Sequence, residues 1–350
     1  MKTKAISCIL TTGLLMAPFI GTGAFGQSIP VAPNPADRVA TNLAGATTSI
    51  APPEGFDALS AADEDLAKYG FPPRPDANIN VAAYSKWRKA MLASKTRIAP
   101  QLELTQVFHG PKRDASDNYN GTGRSSNWSG VVDFSGAKSY NNSSSFYYIL
   151  ADYVVPVASP AYGACTGSWD YSSSWVGIDG DDSGDVLQAG TESDALCSGS
   201  TTSAYYAAWY EWYPYGEVRI TNLPVNPGDD LFVEVWHTSA TSGYAYIINY
   251  NTDQAVTIGF SSPPGTSLVG NSAEWIVERP TVNGALATLT NYVTDYFSSA
   301  YAYTECGKEY KPGSSGSLLL TMDDANGNPI SVPTLLGNEA IEFQATGSAQ

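Results

Sequence analysis

Ala273-Glu-Trp-Ile-Val-Glu-Arg-Pro280 alternates acidic and apolar side chains before it stops at a proline. Along a strand, successive side chains point to opposite faces. Glu274, Ile276 and Glu278 therefore share one face, and Trp275 and Val277 the other. Trp209-Tyr-Glu-Trp-Tyr-Pro214 repeats the device, with Trp209, Glu211 and Tyr213 on one side. Outward from these two stretches, similar runs recur: Trp128–Phe134, Phe146–Val155, Tyr205–Tyr213, Leu231–Thr238, Tyr244–Tyr250, Val256–Phe260, Leu318–Met322 and Ala340–Phe343. Each is rich in Val, Ile, Tyr, Phe, Trp or Thr and is bounded by Gly, Pro, Asn, Asp or Ser. No long helical stripe interrupts them after Asn127. The spacing predicts an all-β, antiparallel two-sheet β-sandwich with one large core.

Charge divides the chain. From Ser125 onward there are five basic residues (Lys138, Arg219, Arg279, Lys308 and Lys311) against 24 acidic ones, while the whole chain carries −16. Such an acidic region repels nucleic acid and anionic membrane, so neither is expected as a partner. Composition also suits acid. Once the carboxylates protonate, few cations remain to repel one another and few salt bridges remain to be lost.

The first 124 residues are different. Residues 1–26 read as a secretory signal peptide: Lys2 and Lys4, an apolar run through Leu14, Leu15 and Ile20, then the small-x-small site Ala24-Phe-Gly26. That run is too short and broken to anchor in a membrane, so a secreted, extracellular protein is expected. Residues 27–60, rich in Ala, Pro, Thr and Ser, read as a flexible linker. Residues 61–124 read as a basic pro-region and maturation linker, with an amphipathic helix over Ala82 to Ser94 that carries Trp87 and Met91. Its polar end, residues 105–126, contains Lys112-Arg113 and has the character of an exposed, nicked segment. Residues 125–350 form the sandwich domain. In an oxidising compartment a Cys165–Cys197 disulfide is expected, with Cys306 left over.

Several chemistries fail on inventory. His237 is the one histidine after residue 125; His109 falls in the expected pro-region. A Ser-His-Asp mechanism would rest on a strand histidine with no Gly-x-Ser-x-Gly turn. His-Glu-x-x-His is absent and the cysteine spacings match no zinc motif, so no metal and no cofactor are expected. Asp182-Ser-Gly184 is the sole Asp-Ser/Thr-Gly stretch, whereas a two-lobed aspartic peptidase needs two. Carboxylate and amide chemistry remain. A carboxylate beside aromatic bulk, as at Glu274, is partly desolvated, which raises its pKa.

Four cassettes in order carry a more specific signal: Trp175-Val-Gly-Ile-Asp-Gly180, Leu187-Gln-Ala-Gly190, Trp209–Pro214 and Ala273–Pro280. Together they resemble the glutamic peptidases, or eqolisins. That resemblance implies a jelly-roll or concanavalin-like sandwich with a concave substrate face. It implies a pepstatin-insensitive acid endopeptidase acting on proteins and peptides, made with a pro-region that inhibits it intramolecularly, and a monomer. Matched residue by residue, it makes Gln188 the catalytic glutamine and Glu274 the catalytic glutamate. Glu274 would act as general base toward water, and the Gln188 amide would stabilise the oxyanion. Trp128, Trp175 and Asp179 match positions around the cleft; Glu211 either orients a catalytic group or the substrate, or is a buried, hydrogen-bonded structural carboxylate. One departure stands out: Ser183 follows Gly180-Asp-Asp182 where the family often has a cysteine, and no cysteine lies between Phe260 and Glu274.

A glutamate with the ordinary pKa of about 4.3 is only about 5% ionised at pH 3. Activity there requires either a lowered Glu274 pKa or a small active fraction. The competing readings are a jelly-roll glycoside hydrolase, which would need Glu211 opposite Glu274, and a carbohydrate-binding module with Tyr and Trp as stacking platforms. Both leave Gln188 unexplained.

Overall fold

Alternating apolar residues bury one face of each strand, and pairing satisfies the backbone. The computed structural model describes residues 31–347 apart from 114–115, 119–120, 141–142 and 164. The expected signal peptide lies outside the described residues. The strands that build the sandwich are β1 (Trp128–Phe134), β2 (Phe146–Val154), β3 (Ser173–Ile178), β4 (Leu187–Ser198), β5 (Thr201–Trp212), β6 (Val218–Ile220), β7 (Asp230–Ser239), β8 (Ser242–Asn249), β9 (Gln254–Ser261), β10 (Ser272–Glu278), β11 (Thr294–Thr304), β12 (Leu318–Asp323), β13 (Pro329–Leu335) and β14 (Ile341–Ala345).

Antiparallel pairing orders one layer β6-β5-β4-β3-β10-β1-β12. The other runs β14-β11-β2-β7-β8-β9. β13 bridges β12 and β14, so the two layers join along one edge. Between them lies the main core. Val176, Ile178, Leu187, Ala189, Trp212, Trp275 and Val277 from the first layer meet Ile149, Tyr153, Val233, Val235, Ile247 and Val256 from the second. Hydrogen bonds also cross it: Trp275 Nε1 donates to the Leu150 carbonyl at 3.1 Å and Tyr153 Oη to Thr191 Oγ1 at 3.1 Å. The first layer carries a second apolar cluster on its outer face, built on Trp128, Val132, Trp175, Trp209 and Ile276. That outer face holds the candidate site.

The N-terminal residues dock on this frame. The helix Val81–Ala93 lies one residue from its expected span and buries Trp87 and Met91 against Tyr148, Phe232, Tyr246 and Ile248 on the outer face of the second layer. Lys86 and Lys89 approach Asp152 at 3.7 and 3.8 Å, and Lys95 meets Asp253 at 2.6 Å. The linker expected over 27–60 is folded where Arg38–Ala40 pairs with Ala46–Ser49, which in turn adds to β9. Its polar composition hid a strand whose ladder is completed by a distant partner. Leu102–Leu104 extends the other layer beyond β6. Among the described residues no helix is long and apolar enough to cross a membrane.

Burial leaves several carboxyls with raised pKa values. Asp295 and Asp133 are each pushed up to about 7, chiefly by desolvation and against the Ser174 and Ser317 hydroxyls that favour the anions. A carboxyl with a raised folded pKa holds its proton more tightly folded than unfolded. Its stabilisation is therefore largest in acid and falls as pH rises toward 7. His237, pushed down to about 4 by burial, works in the opposite sense between its ordinary value and 4. The two carboxyls outweigh the single imidazole. Melting temperature is expected to fall from pH 5 to pH 7.5, and the fall should be smaller in Asp295→Asn; calorimetry showing a rise would contradict this account.

Candidate active site

Register builds the site. Gly177 in β3 lies opposite Gln188 of β4 on one side and opposite Glu274 of β10 on the other. Gln188 is in turn opposite Glu211 of β5. Glu274, Gly177, Gln188 and Glu211 thus form one row across four strands. Neighbouring strands lie about 4.8 Å apart, so the backbones of Gln188 and Glu274 are separated by about 10 Å. The residue between them has no side chain, and the Trp175 ring packs over it, 2.8 Å from where a Cβ would stand. Two residues along the strands, Ile276, Trp175, Gly190 and Trp209 form a second row. Beyond it, Glu278, Ser173 and Glu192 form a third. All three rows face outward on the same side.

This face is covered by residues 107–113 of the same chain. Val107–Phe108 pairs antiparallel with Thr281–Val282. His109 follows, fully buried. Its backbone N–H donates to Glu211 Oε2 at 3.0 Å, and its carbonyl accepts from Gln188 Nε2 at 2.5 Å. Its imidazole stacks on Trp209 with ring centroids 4.0 Å apart. Nε2 lies 2.9 Å from Glu192 and 3.6 Å from Glu217, and Nδ1 lies 3.6 Å from Glu278. Asn127 then holds the next residues: its Nδ2 donates to the Pro111 carbonyl at 3.1 Å and its Oδ1 accepts from the Arg113 N–H at 2.9 Å. Lys112 donates its N–H to the Gly180 carbonyl at 3.1 Å and pairs its ammonium with Asp181 at 2.6 Å.

The electrostatics follow from burial. Burial opposes the His109 charge, yet Glu192, with Glu217 and Glu278 behind it, outweighs that and raises its pKa well above the ordinary value. Burial raises Glu192 and Glu278. Glu217 stays low despite burial, because His109 and Arg219 favour its anion; the Arg219 Nε–Glu217 Oε1 distance is 2.6 Å. Glu211 and Glu274 are pushed well above the carboxylate range by burial. Between the two alternatives posed for Glu274, the lowered pKa is therefore not found in the covered protein. His109, Glu192 and Glu217 offer three metal-ligating atoms within 4.8 Å of one another. The three close on each other as an ion cluster.

The other expected residues support this face in different ways. Trp175 Nε1 donates to Glu278 Oε2 at 2.9 Å, and Trp128 packs edge-on against Trp175. Asp179, with φ 68°, turns away to accept from the N–H groups of Val269 and Asn271 at 2.7 and 2.8 Å. It fixes the loop that leads into β10. Gln188 is the second residue of the twelve-residue β4. Cys165 and Cys197 are disulfide-bonded, and Cys306 is not a free thiol. His237 is buried on β7, with Nε2 2.9 Å from the Phe146 carbonyl, in the second layer.

Inventory reasoning passed over His109, Glu192, Glu217 and Asn127. His109 sat in a segment read as exposed, and its burial depends on contacts more than 70 residues away. Glu192 had a local signal: it shares the outward parity of Gln188 and Gly190 along β4.

Comparison with known proteins now decides the family. The model of the Peptidase A4 family matches residues 126–343. The chain belongs to the Peptidase A4 family. It is 33% identical to aspergillopepsin-2 of Aspergillus niger over 193 residues, covering 51% of this chain and 64% of that one. It is 32% identical to scytalidopepsin B of Scytalidium lignicola over 185 residues, covering 52% and 62%. The chain thus spans slightly under two thirds of the length of these relatives. A solved structure of scytalido-glutamic peptidase with a transition state analog inhibitor superposes with a TM-score of 0.52 at 25% identity, covering 63% of this chain and 98% of that one. The expected resemblance to glutamic peptidases and the antiparallel β architecture both stand.

In this Peptidase A4 member the close packing at Gly177 admits no methyl group. A Cβ there would come within 2.8 Å of the Trp175 ring and 3.2 Å of Gln188 Cβ. Overpacking of a tight interior costs about 1–3 kcal/mol. Gly177→Ala is expected to lower the urea unfolding midpoint correspondingly, and an unchanged midpoint would refute the close packing.

Proposed function

We propose that this chain is the precursor of an exported acid endopeptidase that hydrolyses peptide bonds of proteins, acts as a monomer and uses no cofactor. Residues 125–350 are read as the peptidase domain and residues 61–124 as the pro-region that inhibits it in cis. One observation carries the reading: the Gln188 side-chain amide already donates to a peptide carbonyl lying in the cleft, on the same row as Glu274.

In the reaction, Glu274 takes a proton from water, whose oxygen attacks the scissile carbonyl carbon. Negative charge develops on the carbonyl oxygen, where the Gln188 amide is aimed before the reaction begins. Glu274 then returns the proton to the departing amine nitrogen. Glu211, which accepts from the backbone N–H of His109, orients a backbone bound in the cleft. Trp209 and Trp175 wall the cleft. An amide suits the oxyanion role in acid because it does not titrate there. Glu274 must ionise to serve as base, and admission of water to the opened cleft removes the desolvation that raises its pKa.

A glycosidase pairing of Glu211 with Glu274 finds no support. Their backbones stand about 14 Å apart across three strand spacings, with Gln188 between them. The paired carboxyls of glycosidases lie within about 5–9.5 Å.

The test is digestion of an unfolded protein at pH 3–4 with pepstatin present. Processed wild type is expected to cleave it, and a folded Glu274→Gln protein is expected to be inactive. Gln188→Ala should lose about 10²–10³ in turnover. Absence of cleavage by processed wild-type protein would sink the reading.

A further inference from the structure

We infer that the peptide bond between His109 and Gly110 is the one this protein cuts in itself. The inference rests on the peptidase reading of Gln188 and Glu274. It goes beyond it by naming the bond, which lies neither at Lys112-Arg113 nor in the following polar run.

Residues 107–113 lie in the cleft as an aligned substrate would. Upstream of the bond, Val107 and Phe108 extend the short strand at Thr281–Val282, and the Glu217 N–H donates to the Val107 carbonyl at 2.9 Å. At the bond itself, Glu211 holds the His109 N–H and Gln188 holds the His109 carbonyl. Downstream, Asn127 takes the Pro111 carbonyl and the Arg113 N–H. The backbone is thus gripped on both sides of a single carbonyl, the one facing the amide. Proline at 111 offers no N–H that would need a partner. Gly110 carries no side chain over the cleft; a Cβ there would lie 3.3 Å from the Tyr213 ring. The imidazole of His109, seated among Glu192, Glu217 and Glu278 on the Trp209 ring, sets the register. Sliding the segment by one residue would place Phe108 or Gly110 there and leave three buried carboxyls without their cation.

The step balances without a co-reactant other than water. Water adds to the His109 carbonyl carbon, and the C–N bond to Gly110 breaks. One water proton passes through Glu274 to the Gly110 nitrogen. The products are a chain ending in the His109 carboxylate and a chain beginning with the Gly110 amine. The upstream product remains docked through the Val81–Ala93 helix and the Lys86 and Lys89 contacts with Asp152, so the cut is visible only under denaturing conditions.

Full-length precursor purified at neutral pH would be shifted to pH 3, 4, 5 and 6 with pepstatin present. Samples are quenched early and read by denaturing mass spectrometry and N-terminal sequencing. The first new N-terminus is expected at Gly110 and the matching C-terminus at His109. The rate should not change over a 100-fold range of protein concentration, since the bond is presented in cis. Glu274→Gln and Gln188→Ala, each checked for a native melting transition, should leave the bond intact or cut at least about 10²-fold more slowly. A first cut after Arg113 or beyond, or an intact 109–110 bond in protein that digests added substrate, would overturn the inference and leave the peptidase reading standing. Cutting at Gly110 that persists in Glu274→Gln would assign it to another protease and overturn it equally. Failure to cut either itself or an added substrate would remove both.

Discussion

Antiparallel register is the constraint on which the site depends. Because strand spacing is fixed, a glutamate and a glutamine two strands apart are held at a set separation, and the residue between them decides whether the space is filled. Here that residue is Gly177, tightly boxed by Trp175 and Gln188. The same parity repeats along the strands, so the polar row carrying Gln188 and Glu274 is followed by an aromatic row and then by a row of carboxyls. The outward face of the first layer is therefore a graded surface: an amide and a carboxyl at one end, tryptophans in the middle, and buried acids beyond.

Such a surface is costly to cover. Burying carboxyls without partners disfavours their anions, and most of those on this face have raised pKa values. The chain meets this by inserting its own cations. His109 enters among three carboxyls, and Lys112 pairs with Asp181. The charge asymmetry between the two parts of the chain thus has a local meaning, because individual basic residues of the N-terminal part are placed against individual acids of the sandwich. Apolar docking of Trp87 and Met91 at a distant face supplies the remaining hold without involving the cleft.

Much of this was legible in sequence because it is periodic. The alternation around Trp275 and Trp209 gave the strands and faces, and the helix at Val81–Ala93 was displaced by one residue. What escaped reading was polar and buried. β4 is missing from the runs read in the sequence, since Thr191, Glu192, Ser193 and Asp194 resemble a loop; all four are buried. Their partners come from β3, β5 and the covering segment, which no local window contains. Arg38–Ala40 and Ala46–Ser49 escaped for the same reason. The Gln188–Glu274 pair could be named only through ordered cassettes, because neither residue has a distinctive local environment in sequence.

Glu274 is itself fully buried. In the covered protein its pKa is raised, so at acid pH it holds a proton. The cause is desolvation, which the Ser272 hydroxyl and the Lys112 charge only partly oppose. Falling pH also neutralises Glu192 and Glu278, which reduces the attraction that seats His109. Acid thus weakens the seat of His109 at one end of the face, while bonds to the backbone from Glu211, Gln188 and Asn127 hold the segment over the rest. The seating of the segment and the burial of the face beneath it are thus set by the same few carboxyls.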